Sequence, residues 1–264
     1  MRAPLSSKRW AVVIAGADRA EPRAEVTALR RKGLPTLILG LIALVPAPAT
    51  AAQFGAVISI FSDDRFRGVS VSDGRPVATF DLSYDAPSGL YASLSGSVVA
   101  TRDEGLRALS GVLNGGYAKR LRHGLTIDFG ASHLRYSHYS GLSSGRDITE
   151  VYAGLVGKIF GARISVSPNY FGVARWTAHG EIDAHVDLSR NTAMEGEVGL
   201  LAPFGKSAYE ANLNNQFDAR LGLAQRAGPV MFHAALSGRS GGDEIYGGRG
   251  HNRVALVLGV STAL

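Results

Sequence analysis

The stretch ARWTAHGEIDAHVDLSR, residues 174–190, is the clearest sign of a β-structure in this sequence, because apolar or small residues alternate in it with polar ones. The alternation holds without a break from Trp176 to Ser189. Successive side chains of a strand point to opposite faces, so the pattern predicts a β-strand with one apolar and one hydrophilic face. Strands in soluble proteins usually end after about five or six residues. The stretch therefore predicts an unusually long strand.

Alternating segments follow one another from residue 52 onwards, and none of them has the period of an amphipathic helix. The sequence therefore predicts an all-β protein of about twelve strands. The second of these strands contains Asp73-Gly74, a dipeptide that can break it. The predicted strands are 53–61, 67–84, 88–100, 107–121, 124–138, 148–159, 162–171, 174–189, 192–201, 208–224, 228–238 and 252–263.

Short and long connections alternate between these strands, except near 171–173, where the connection is too short for its place. Short turns on one side and longer loops on the other are typical of outer-membrane barrels. The sequence therefore predicts a transmembrane, antiparallel, up-and-down β-barrel. An even number of strands returns both termini to the periplasmic side.

The two faces of the predicted strands suit different surroundings. The apolar faces mix Ala and Gly with larger residues, which suits lipid better than the closely packed core of a soluble protein. The other faces carry many ionisable groups, whose burial without water would be costly. We therefore expect lipid outside and a water-filled or polar-networked lumen inside, with Trp176 and Tyr209 in an aromatic girdle and Tyr170 on the apolar face. A soluble periplasmic β-protein is the alternative.

Residues 1–51 have the layout of an export leader. A basic segment at 29–33 precedes an apolar segment at 34–45, and the small residues up to Ala51 resemble a signal-peptidase site. The sequence predicts cleavage after Ala51 or one residue later, which leaves a barrel domain of about residues 52–264 in the outer membrane of a Gram-negative cell. Residues 1–25 lack such a pattern, so initiation at Val26 or Leu29, a long n-region and a structured extension all remain open.

The net charge of +6 does not indicate nucleic-acid binding once the charges are located. The leader holds eight of the 28 basic and three of the 22 acidic side chains, which leaves 20 basic against 19 acidic ones. The chain contains no cysteine, so neither disulfides nor thiolate metal sites stabilise it. A near-neutral barrel predicts neither a nucleic-acid partner nor a clear ion preference.

Charged side chains that share the hydrophilic face are the candidate pore-lining residues. On the strand of residues 174–189 they step about 6.6–6.8 Å apart, which favours a mixed-charge wall over a metal site. Those of residues 63–75 could form a selectivity ring, but we favour a structural role in which Arg–Asp pairs hold a loop against the wall. The candidates are Asp63, Arg65, Arg67, His179, Glu181, Asp183, His185, Asp187, Glu210, Asp218 and Arg220.

An outer-membrane hydrolase is the rival class. Ser132-His133, His138 and Ser143-Ser144 supply suitable residue types. A nucleophile, however, needs a base within hydrogen-bond reach and a third group that orients it, and no G-x-S-x-G turn is present. The sequence therefore predicts no enzyme activity and no cofactor.

Four segments carry a resemblance to a known family: SDDRFRGVSVSDGRP at 62–76, SGLYAS at 88–93, DFG at 128–130 and EVYAG at 150–154. They resemble motifs of the TorF-type porin family, proteobacterial outer-membrane proteins long described as conserved hypothetical proteins. The likeness covers about residues 61–172. The sequence departs from the usual pattern at two positions. Asp64 precedes the first arginine of the first motif, where the family usually has an aromatic residue, and the chain ends in Leu264, where outer-membrane barrels commonly end in an aromatic residue.

The resemblance implies an outer-membrane barrel and a channel, without naming a solute. Together with the residue patterns it predicts a porin for passive diffusion of small hydrophilic solutes. The expected partners are outer-membrane lipid, those solutes, and the barrel assembly machinery through the C-terminal strand. A structural barrel with a plugged lumen is the main alternative.

Overall fold

The computed structural model describes residues 52–142, 147–172, 175–205, 214–240 and 254–264. The predicted leader, Tyr209, Glu210 and Ser143-Ser144 lie outside these ranges. The strands are Gln53–Phe61 (β1), Arg65–Phe66 (β2), Val69–Ser70 (β3), Val77–Asp85 (β4), Leu90–Thr101 (β5), Gly105–Arg120 (β6), Thr126–Tyr136 (β7), Asp147–Val156 (β8), Phe160–Ser167 (β9), Trp176–Asp187 (β10), Thr192–Phe204 (β11), Gln216–Ala227 (β12), Val230–Ser240 (β13) and Val254–Ala263 (β14).

All of these strands except β2 and β3 form one closed barrel. Each pairs antiparallel with the next barrel strand along the chain, and β1 closes the barrel by pairing with both β4 and β14. Closure leaves no unpaired edge, which any barrel in lipid requires. The predicted twelve-stranded up-and-down barrel is confirmed. Below, "terminal end" denotes the end where β1 begins and β14 ends, and "loop end" the opposite one.

The outer face of the barrel is apolar, and the inner faces of β10 and β12 are polar, as the alternation predicts. On β10 the side chain of Ile182 is 55% exposed while that of His179 is 1% exposed, and on β12 Phe217 is 59% exposed while Asp218 is 6% exposed. Trp176 lies on the outer face near Phe204, with ring centroids 6.1 Å apart. The residues that the structure describes include no helix long and apolar enough to cross a membrane.

The expected strand at 67–84 is wrong over its first ten residues, because β4 begins only at Val77. Residues 62–76, which we call the inner loop, instead fold into the barrel and contain the hairpin of β2 and β3. The chain reverses at Arg67 and Gly68, whose φ angles are 48° and 74°. A strand cannot continue through two successive residues with positive φ.

The expected strand at 162–171 is also too long. β9 ends at Ser167, so Pro168 follows the strand and removes no ladder hydrogen bond. Tyr170–Gly172 form a short 3₁₀ turn, in which Phe171 has a φ of 48°. This turn directs Tyr170 into the barrel, where it is fully buried, so its expected place on the lipid face was wrong.

Candidate functional site: the barrel lumen

The inner loop is held in shape by a compact polar network around Asp63. Arg65 donates to the Asp63 carboxylate at 3.0 Å and to the carbonyl of Gly68 at 2.6 Å. The hydroxyls of Ser70 and Ser72 donate to the same carboxylate at 2.5 and 2.9 Å. All of these groups except Ser70 are buried. Asp63 and Arg65 therefore shape the loop, as the favoured structural reading predicts.

A buried ion pair ties the loop to the barrel wall. Nη2 of Arg67 donates to both carboxylate oxygens of Glu150 on β8, at 2.7 and 2.9 Å. The guanidinium lies 4.8 Å from the ring centroid of Phe66 and 5.4 Å from that of Tyr170. Burial on its own lowers the pKa of Arg67, but Glu150 and Tyr170 raise that pKa above its ordinary value. Arg67 is thus charged whenever the loop is docked.

Gly68 brings the loop against the opposite side of the barrel. A Cβ atom at this position would overlap the backbone carbonyl of Gly238 on β13. Since Arg67 contacts β8 and Gly68 contacts β13, the inner loop spans the lumen.

An apolar cluster packs around the loop inside the barrel. Val71, Tyr170 and Phe171 are fully buried and meet inward-facing side chains of the wall. The expectation of a water-filled or polar-networked lumen is therefore wrong at the loop end. We call this group the loop-end cluster: Val69, Val71, Val77, Val99, Leu109, Val112, Leu134, Tyr136, Leu142, Ile148, Tyr170, Phe171 and Leu201.

A large cavity lies in the lumen between the inner loop and the terminal end. It encloses about 1800 Å³ of space without atoms, counting the part open to solvent. Residues from both ends of β1 line it, as do Arg65 and Arg67 of the inner loop. Asp81, Glu181 and Arg220 are among its charged lining residues. The terminal half of the lumen is thus a vestibule that is open to solvent and lined by both charged and apolar side chains.

A buried hydrogen-bond network stiffens the wall of β5 to β9. The Tyr91 hydroxyl donates to Asp128 at 2.6 Å, and it lies 2.5 Å from the Tyr152 hydroxyl. The Tyr152 hydroxyl donates to the side-chain oxygen of Asn114 at 2.7 Å. Arg163 donates to the other oxygen of Asp128 at 2.9 Å, and its guanidinium lies 4.5 Å from the centroid of the Tyr152 ring. These contacts hold the Arg163 side chain against the barrel wall.

The predicted residues of β10 and β12 meet inside the barrel. His179 lies between two carboxylates: Nε2 is 3.0 Å from Asp218 and Nδ1 is 3.5 Å from Glu181. On the same inner row, His185 is 3.2 Å from Asp187, nearer the terminal end. Asp183 lies between these two pairs, directly opposite Glu197 of β11. No group of three potential metal ligands occurs among the described residues.

Several inward-facing carboxylates are missing from the predicted set. Glu150 anchors the inner loop, Asp128 organises the wall network, and Glu195 and Glu197 lie on β11 beside the predicted residues. The alternation places all of them on the hydrophilic face, so the period of two could have found them. The partners that each one has across the barrel could not be read from the sequence.

Those residues that suggested a hydrolase and that the structure describes, Ser132, His133 and His138, do not assemble into a catalytic group. Ser132 is 6% exposed and faces the lumen, whereas His133 is exposed on the outer face and pairs with Thr149 at 2.9 Å. Adjacent residues of one strand point to opposite faces, so His133 cannot serve as a base for Ser132. His138 stacks on Tyr139 at a centroid distance of 3.9 Å.

Residues 46–260 match the model of a family described as bacterial protein of unknown function (Gcw_chp). The chain belongs to the Gcw_chp family. That description names no activity, and the narrower TorF-type assignment remains a prediction. No curated protein matches the sequence.

Among solved structures, the NanC porin resembles this Gcw_chp protein with a TM-score of 0.52 and 12% sequence identity, covering 80% of this chain and 100% of that one. The KdgM porin matches with a TM-score of 0.49 and 11% identity over 79% of this chain and 98% of that one. At such identity the NanC match establishes a common barrel fold and nothing about solutes.

Proposed function

We propose that this protein is an outer-membrane porin that admits small hydrophilic solutes by passive diffusion, with the inner loop as its constriction. The observation that carries the proposal is the charged, solvent-open vestibule enclosed by a barrel whose outside is apolar. Ionised side chains in such number stay inside a barrel at low cost only where water reaches them. Membrane lipid contacts the outer face, and assembly proceeds through β14.

The interior favours a channel over an enzyme. Charged lumen residues that the structure describes pair with each other as wall contacts, such as His179 with Asp218 and Arg67 with Glu150. The side chains of Ser132 and His133 lie on opposite faces of β7. Such pairs hold side chains still and leave no activated nucleophile beside a base. We therefore propose transport without a cofactor.

A closed, structural barrel is the second candidate, and the loop-end cluster favours it. Its side chains fill the lumen around the inner loop with apolar groups, which exclude water. The two candidates differ in whether a path for water remains beside the loop.

Solute uptake by proteoliposomes distinguishes them. The protein would be purified folded from the outer membrane of a Gram-negative host, and swelling would be followed in neutral sugars of increasing size. A matched variant replaces residues 63–75 by a Gly-Ser linker of equal length. If the protein is a porin, the native protein admits small sugars, and the loop variant also admits larger ones.

Two other results decide against the porin. Uptake by the loop variant alone would show that the native barrel is plugged. If neither protein admits sugar while both are folded, as judged by heat-modifiable migration in gels, the barrel is structural.

A further inference from the structure

We infer that the lumen passes cationic solutes in preference to anionic ones, and that Asp183 and Glu197 are the residues that set this preference. The inference rests on the proposed porin function and names its solute class. It departs from the near-neutral balance of the chain as a whole, because the charges are distributed unevenly between the lumen and the rest of the barrel.

Carboxylates predominate on the inner wall between the inner loop and the terminal end. The guanidinium groups on this stretch of the described wall are those of Arg163 and Arg220. Basic side chains instead concentrate at the exposed turns of the terminal end, with Arg122, Lys158 and Arg190. The inward carboxylates are Asp81, Asp128, Glu181, Asp183, Glu195, Glu197 and Asp218.

One of the two guanidinium groups contributes little to the field in the lumen. Arg163 is bound to Asp128 at 2.9 Å and stacks on Tyr152, so Asp128 offsets much of the charge that also acts on Asp183. Arg220 lies directly opposite Glu197 and also interacts electrostatically with Glu195, so a single cation faces two carboxylates. The surplus charge on this side of the lumen is therefore negative.

Asp183 and Glu197 are directly opposite each other on β10 and β11. Two like charges at opposed positions of an antiparallel pair repel, since their Cβ atoms are only about 4.5–5.5 Å apart. A mobile cation in the lumen relieves this repulsion. In addition, Oε1 of Glu195 is buried without a hydrogen-bond partner, which leaves a further acceptor beside the pair.

The facing side of the barrel supplies no positive charge. The sequences of β14, β1, β4 and β5, as the structure bounds them, contain no Lys, Arg or His. Their inner faces present hydroxyls, apolar side chains such as Val57 and Val257, and the Asp81 carboxylate, to which Ser95 donates a hydrogen bond. At the terminal rim both signs occur, with Asp85 and Asp187 against Arg120 and Arg226. A cation entering past this rim meets a lumen of opposite charge, which concentrates it there.

The test is the reversal potential of the folded full-length barrel in a planar bilayer under a KCl gradient. We expect the reversal potential to have the sign that corresponds to a higher permeability for K⁺ than for Cl⁻. The double variant Asp183→Asn with Glu197→Gln should lower the ratio of K⁺ to Cl⁻ permeability by about twofold or more. Asp147→Asn removes a carboxylate from the outer face at the loop end and should leave the ratio unchanged.

Each outcome bears on a different claim. Conductance with a Cl⁻ preference, or with a ratio that the double variant does not alter, would overturn the inference and leave the porin function standing. A folded, inserted barrel that never conducts would overturn the porin function and this inference with it.

Discussion

Arg67 and Glu150, 83 residues apart in the chain, form the buried ion pair that docks the inner loop on the barrel wall. Breaking such a pair from one side leaves an uncompensated charge, which costs about 3–5 kcal/mol. Glu150→Gln should therefore lower the free energy of unfolding in urea by that order. It should also raise the single-channel conductance, because the loop loses its anchor.

Asp147→Asn is the matched control for that change. Its carboxylate lies three residues away on β8, is 51% exposed, and is 3.5 Å from Arg135 on the outer face. Exposed pairs of this kind contribute about 0–1 kcal/mol. A loss of stability for Asp147→Asn as large as for Glu150→Gln would refute the special role of the Arg67 anchor.

Phe171 packs the loop-end cluster at a turn that sequence patterns did not predict. Its ring contacts Phe66 edge to face at a centroid distance of 5.6 Å, and lies 4.9 Å from Tyr170. Phe171→Ala should cost about 3–5 kcal/mol of unfolding free energy, measured in urea, since it opens a cavity in a packed cluster. Phe171→Leu should retain most of that stability; a cost near zero for Phe171→Ala would show that the cluster is loosely packed.

Gly130 makes room for the Tyr152 hydroxyl in the wall network. A Cβ atom there would overlap that hydroxyl, whereas one at Gly180 on the outer face of β10 would meet nothing within 4 Å. We expect Gly130→Ala to displace Tyr152 and to lower the unfolding free energy by about 1–3 kcal/mol, with Gly180→Ala close to neutral. Equal effects of the two substitutions in urea unfolding would contradict this account.

Glu104 and Tyr139 tie together two connections at the loop end. The Tyr139 hydroxyl donates to the Glu104 carboxylate at 2.5 Å, and this hydrogen bond, with help from Arg107, lowers the pKa of Glu104. Since the pKa is lowered by folding, the contact contributes stability above the ordinary Glu pKa and loses it as the pH falls through the lowered value. An NMR titration of Glu104 should show a higher pKa in Tyr139→Phe; an unchanged pKa would mean that the hydrogen bond does not form.

The alternation of residues predicted the barrel because one physical cause, lipid on the outside and a largely polar interior, acts along most of the strands. The inner loop and the turn at Tyr170–Gly172 escaped prediction for a different reason. Their positions depend on positive φ angles at Arg67 and Phe171, residue types that rarely adopt them. A partner such as Glu150 is also too distant in the chain to be inferred from spacing.

The sequence motifs acquire a structural meaning only in three dimensions. Arg67 comes from the first motif, Tyr91 from the second, Asp128 from the third, and Glu150 from the fourth. Folding links them through the ion pair to the loop and the hydrogen bonds of the wall. The sequence identified the segments and could not identify these pairings, because strand neighbours are set by topology.

Single-channel recording shows whether a path for water and small solutes runs past the inner loop. The full-length barrel, purified in folded form from outer membranes, would be inserted into a planar bilayer in about 1 M KCl. At this concentration the Debye length is about 3 Å, so charges outside the lumen are screened. We expect discrete, stable conductance steps that grow in Glu150→Gln. Inserted, folded protein that stays silent in both forms would contradict this expectation.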